Sequence, residues 1–196
     1  MLFKSYLLTL GLCLSATAQT PAPVTDNNIP SVIYQATLLD KDNTTVRGQV
    51  TTYGTADKVG VKVHVEFSGV PDGEALSYHI HAKPVPEDGN CYLTAKHLDP
   101  YNRTDTPPCD IKHPETCEVG DMSGKHSPVW APCGQKFKAS YTDYFISNVP
   151  GDDAFFGDLS VVVHAADGSR LNCGNFVESR SEFGEGVDAL LDHFGH

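Results

Sequence analysis

Positive charge is scarce in this chain: 14 Lys and Arg stand against 25 Asp and Glu among 196 residues, a formal net charge of -11. Such a surface repels phosphate backbones and anionic headgroups, so nucleic acid and anionic membranes are poor candidates as partners. Long apolar runs are also lacking. After residue 18 no stretch approaches the roughly 20 apolar residues that a membrane-crossing helix needs, and the C-terminus has no greasy tail of the kind that precedes a glycolipid anchor. No membrane span is expected. Helical periodicity is nearly absent as well. It surfaces in Val187, Leu190, Leu191 and Phe194, spaced i, i+3, i+4 and i+7, so residues 179–196 read as a short, partly helical tail. His193 and His196 at its end carry no assigned chemistry.

The one apolar run present stands at the front. Met1 to Lys4, the run Tyr6 to Leu14 and the small-x-small Ala16-Thr17-Ala18 form a charged start, a short apolar core and a cleavage site. Residues 1–18 are therefore expected to be a secretory signal peptide, with a mature chain of net charge about -12 in the extracellular space or the cell wall. Secretion favours disulfides over thiolates. Cys13 leaves with the signal, and Cys91, Cys109, Cys117, Cys133 and Cys173 remain, an odd number whose connectivity the sequence leaves open. Asn43-Thr44-Thr45 and Asn102-Arg103-Thr104 are candidate N-glycosylation sites.

Residues 19–31, with Pro21, Pro23 and Pro30, read as a Pro-rich leader, and residues 32–178 as one domain. Strand signals run from Val32 to Leu39, Val46 to Tyr53, Val59 to Phe67, around His79, then Phe137 to Ser147, Leu159 to Ala165 and Leu171 to Val177. Val61, Val63, Val65 and Phe67 alternate with Lys62, His64 and Glu66, which puts His64 on a solvated face. Lys83 to about Gln135 shows no sustained period and is rich in Pro, Gly, Asp and Cys; loops of this length are usually functional or disordered, and the cysteines argue for an ordered one. Seven to eight short antiparallel strands with almost no helix imply an all-β, Ig-like Greek-key flattened barrel or sandwich.

In Tyr78-His79-Ile80-His81 the two imidazoles share one strand face, about 7 Å apart at the backbone, and can converge on one ion. An all-imidazole set suits Cu(II) or Zn(II), whereas Ca(II) and Mg(II) take oxygen ligands.

With Gly89-Asn90-Cys91, Lys96-His97-Leu98-Asp99-Pro100, Val119-Gly120-Asp121, Val161-Val162-Val163-His164 and Ser169-Arg170-Leu171-Asn172-Cys173-Gly174 following in order, the chain resembles the Cu,Zn superoxide dismutase family. The likeness is greatest to secreted fungal copper-only members, over about Val32 to Val177. The resemblance implies that His79, His81, His97 and His164 bind one copper per chain and that superoxide is the substrate. It implies that Arg170 attracts the anion, and that Cys91 pairs with Cys173. Cys109 and Cys117 are then a natural second pair, leaving Cys133 over. The two-metal enzymes place a histidine directly before Val-Gly-Asp and another soon after the bridging one; here Glu118 holds the first place and Asn102 to Pro108 offer none. Zinc is therefore not expected. Glu118 is expected to hold the outer nitrogen of His97, and Asp121 is what remains of the zinc set. A distorted zinc site of His97, His113, Glu118 and Asp121 is the competing reading. The few residues between His164 and Arg170 imply an open, shallow site. The expected protein is a monomeric extracellular superoxide dismutase, with a copper-buffering module of little turnover as the alternative.

Overall fold

The computed structural model describes residues 20–132 and 134–179. Among these residues seven strands follow one another: β1 (Ile33–Thr37), β2 (Arg47–Gly54), β3 (Val61–Ser68), β4 (Ser77–His81), β5 (Phe137–Asp143), β6 (Ser160–His164) and β7 (Arg170–Ser179). A one-turn helix, α1 (Met122–His126), and single 3-10 turns at Cys91–Leu93 and Pro114–Thr116 lie within the long loop. The strands form one antiparallel sheet in the order β4-β6-β7-β1-β2-β3-β5, which agrees with the expected all-β class.

Alternation builds the core. On β3 the side chains of Val61, Val63, Val65 and Phe67 are buried while Lys62, His64 and Glu66 face outward. Burying each such apolar side chain contributes about 1.5–3 kcal/mol relative to exposure. The sheet curls so that its two edge strands meet. Tyr78 of β4 packs edge-on against Phe67 of β3 at 5.8 Å between ring centres, and its hydroxyl lies 2.8 Å from that of Tyr141 on β5. β4 and β5 share no backbone ladder, so the half-barrel has a seam between them.

The free edge of β4 is covered by the long loop. Leu76 and Val129 exchange N–H···O bonds of 2.9 and 2.8 Å, and Ala82 N–H donates to Lys96 O at 2.9 Å. Between these, Ile80 N–H donates to Gly120 O (2.9 Å), Leu98 N–H to Ile80 O (2.8 Å) and Gly120 N–H to Leu98 O (2.7 Å). Gly120 is required there, because a Cβ would stand 2.3 Å from Ile80 O.

Three expectations are revised. Residues 20–31 are packed into the body: Asn28 is fully buried, donates to Thr25 Oγ1 (2.8 Å) and accepts from Asn148 N–H (2.9 Å), and Thr25 N–H donates to Tyr144 O. A leader whose large apolar residues are Val24, which is exposed, and Ile29, which is half-buried, docks mainly through polar pairing, which hydropathy does not reveal. The strand beginning at Phe137 ends at Asp143, whose buried Oδ1 accepts the N–H groups of Phe145 and Ile146 and turns the chain. His64 is half-buried, stacked on Tyr53 at 5.5 Å with its Nε2 3.0 Å from the Tyr53 hydroxyl. Disulfides join Cys91 to Cys173 and Cys109 to Cys117. The expected signal segment, the tail from 180 onward and Cys133 lie outside the described residues.

Candidate metal centre

Four histidine rings converge where β4, β6 and the loop meet. His79 and His81 leave the same face of β4, and His164 ends the neighbouring β6, paired with Ser77. His97 is carried to them by the bridge of its backbone to His81 and by the Leu98 tether to Ile80. One ligand-competent atom from each of the four lies within 4.8 Å of the others.

Each ring turns one nitrogen outward to a protein partner. His81 Nδ1–H donates to Ala95 O at 3.1 Å and His164 Nδ1–H to Gly168 O at 3.2 Å. His97 Nδ1 meets Glu118 Oε2 at 2.5 Å. His79 Nε2 has longer contacts, 3.3 Å to Ser123 Oγ and 3.4 Å to Asp121 Oδ1. With their protons fixed on the outer side, the inner nitrogens carry lone pairs. The inner Nε2 atoms of His81 and His164 then face each other at 3.1 Å, and His79 Nδ1 is buried without a hydrogen-bond partner. Lone pairs packed in this way call for a cation between them.

A proton is a poor candidate. Burial pushes the His164 imidazole down to about 4 and His81 to about 2, with His97 and Arg170 lowering both further and His79 adding to the effect on His164. Burial also lowers His79, against the opposing pull of Asp121. Asp121 itself stays below the usual carboxylate range: burial would raise it, but hydrogen bonds from His79 and Gly124 N–H outweigh that. Neutral imidazoles with aligned lone pairs fit a borderline divalent ion, and the donor set is the one copper and zinc favour.

A cleft of about 510 Å³ opens over His81 and His97, with Arg170 and Lys96 on its wall and Asp99, Asn102 and Asp105 at its rim. The turn after His164 is tight, closed by Ala165 N–H to Ser169 O at 2.9 Å, and the rim comes from residues 99–105. The Arg170 guanidinium is anchored by donating to Cys91 O (2.6 Å), Thr94 Oγ1 (2.9 Å) and Ala95 O (2.7 Å), and it lies 5.6 Å from the Tyr92 ring centre. His113 is exposed beside Glu115 at 3.5 Å; among the described residues it is not grouped with a convergent ligand set. Asn43 and Asn102 are both exposed.

Sequence reasoning missed Ser123, Tyr92 and the carbonyls of Ala95 and Gly168. A carbonyl leaves no residue signature, and Ser123 sits on a single helical turn too short to show a period.

No family model matches the chain. It is 35% identical over 193 residues to a cell surface Cu-only superoxide dismutase of Arthroderma benhamiae, covering 85% of this chain and 52% of the relative. It is also 35% identical over 156 residues to cell surface Cu-only superoxide dismutase 5 of Candida albicans, covering 79% of this chain and 64% of the relative. The chain thus spans about half to two thirds of the length of these curated relatives. The solved structure of Candida albicans superoxide dismutase 5 with Cu(II) aligns with a TM-score of 0.69 at 32% identity, covering 79% of this chain and 97% of that one.

Proposed function

The chain belongs to the superoxide dismutase family, on its cell-surface copper-only side, and from that membership we propose that it is an extracellular, copper-dependent superoxide dismutase. The carrying observation is the inward convergence of four imidazole nitrogens, with every outer nitrogen already committed to a protein partner. His79, His81, His97 and His164 would hold the copper, which would supply the one-electron Cu(II)/Cu(I) chemistry by which two superoxide ions and two protons become oxygen and hydrogen peroxide.

The remaining work falls to the chain. Arg170 puts a fixed positive charge on the cleft wall, drawing in an anion that the net charge of -11 otherwise repels. Glu118 Oε2 keeps the proton on His97 Nδ1 and aims Nε2 toward the other rings. His97 borders the cleft, so its Nε2, when not engaged as a ligand, is placed to pass a proton to the departing peroxide. Asp121 and Ser123 orient His79. Since one chain supplies every one of these groups, the unit of activity is the monomer. The likeness to cell-surface relatives supports a location outside the cell, where Asn43 and Asn102 would be open to glycosylation.

Elemental analysis of the purified secreted chain, paired with a superoxide-disappearance assay, tests the reading. One copper per chain, no stoichiometric zinc and rapid turnover are expected. Bound copper without turnover would leave a buffering module, for which the anchored Arg170 has no use. A zinc whose removal abolishes activity would overturn the copper-only assignment and return His113 to the site.

A further inference from the structure

Of the four rings, His79 is the least directly held. The outer nitrogens of the other three have partners at 2.5, 3.1 and 3.2 Å, whereas His79 Nε2 has contacts of 3.3 and 3.4 Å to Ser123 and Asp121. Its inner Nδ1 has no hydrogen-bond partner. Its orientation therefore depends on where α1 stands, because Ser123 lies on α1 and Asp121 caps it by accepting Gly124 N–H at 2.8 Å. A helix of five residues has almost no intrinsic stability. Something outside it must fix it.

Ser123 Oγ accepts Tyr78 N–H at 3.2 Å, which ties α1 to β4, and among the described residues a buried cluster across the seam ties it to β5. Lys125, with its side chain 1% exposed, donates to Val119 O at 2.7 Å and pairs with Asp143 Oδ2 at 2.6 Å. His126 Nε2 reaches the same Oδ2 at 2.8 Å. Asp143, fully buried at the end of β5, is locked by the N–H groups of Phe145 and Ile146 on its other oxygen. The His126 ring stacks on Tyr141 at 3.8 Å, and the Tyr141 hydroxyl meets that of Tyr78, the residue before His79, at 2.8 Å. Two routes thus run from β5 to His79, one through α1 and one through Tyr141 and Tyr78.

We propose that Lys125, Asp143 and His126 form a brace across the seam that sets the ring angle of His79, making them positioning residues for the metal centre. A buried ion pair is weak evidence for stability, since neutral replacements of similar volume often cost nothing. Its value here is geometric. The brace transmits the position of β5 to a ligand that would otherwise pivot on two long contacts. The proposal rests on the copper reading given above.

The test is the double variant Lys125→Met with Asp143→Asn, which removes both charges together, loaded with Cu(II) beside the parent. The Cu(II) EPR hyperfine splitting should change, and the copper dissociation constant from chelator competition should rise about tenfold, the low end for loss of a ligand's supporting contact. Val50→Ala, a cavity in β2 away from the seam, should lower the melting temperature while leaving the copper signature as in the parent. His126→Gln keeps the ion pair but loses the stacked ring, and should shift the spectrum in the same sense by less; it also serves if the double variant does not fold. A parent that takes up copper, with both folded variants giving its spectrum and affinity, sinks the brace alone. A parent that takes up no copper sinks the metal reading and the brace with it.

Discussion

Three histidines of the centre stand on strands and one on the loop, and the two regions hold their side chains by different means. On β4 and β6 the positions of His79, His81 and His164 follow from a ladder that runs Ser77 to His81 against Ser160 to His164. Many equivalent bonds share the load, and slipping the register by one residue would invert every side chain. The loop has few such repeats. His97 and Glu118 are brought together because Leu98 and Gly120 both bond to Ile80 and to each other. Arg170 is placed by three acceptors within residues 91–95. Ladders distribute error, whereas point tethers concentrate it.

Substitutions at the tethers should therefore do more harm than comparable ones on the strands. Gly120→Val should have the largest effect, since its side chain would enter the space of Ile80 O and the Leu98 backbone. We expect loss of copper binding and a melting temperature lowered by many degrees; a variant that binds copper like the parent would show the tether to be dispensable. Next comes the Cys91–Cys173 bond, which joins the loop to β7. Replacing either cysteine by Ser should cost about 2–5 kcal/mol in denaturant unfolding and lower activity by loosening the Arg170 acceptors. A cost near zero would mean that the ladders alone hold the loop.

Arg170→Ala should lower the superoxide rate about tenfold or more while copper stays bound. Arg170→Lys sharpens the comparison, because it keeps the charge but not the three-way fork. It should restore salt dependence and only part of the rate. A rate at low salt equal to that of the parent in Arg170→Ala would reduce the residue to a loop clamp.

The smallest effect concerns pH, and it lies on the ladder side. His164 and His81 are held neutral in the fold, lowered to about 4 and about 2 chiefly by burial. The unfolded chain binds more protons than the folded one once pH falls below the ordinary imidazole value, about 6.5. Stability of the metal-free protein should decline as pH drops from there toward 4 and below, and copper should flatten the decline. Melting curves that do not change between pH 7 and 4.5 would contradict the burial of these rings.

What could be read from the sequence follows the same division. Alternation in Val61 to Phe67 gave away β3, and His-x-His gave away a strand face bearing two of the converging imidazoles, because a two-residue period is visible in residue order. The pairing of Lys125 with Asp143 could not be read. Lys125 lies on a single turn that shows no helical period, and the contact crosses a seam without backbone pairing. Asn28 was hidden for a related reason: polar docking of residues 20–31 leaves no hydropathy pattern.

Ile80 binds both ends of the excursion from Asp99 to Cys117, through Leu98 on one side and Gly120 on the other. The contour length of that excursion is thereby uncoupled from the geometry at its base. Lengthening a closed loop costs little, about 0.6 kcal/mol for each doubling. Insertions or deletions within residues 105–108, ahead of the Cys109–Cys117 bond, can thus accumulate over evolution, reshaping the approach from solvent, while His97 and Glu118 keep their separation. The segment is a place where the protein can change its outline without retuning its chemistry.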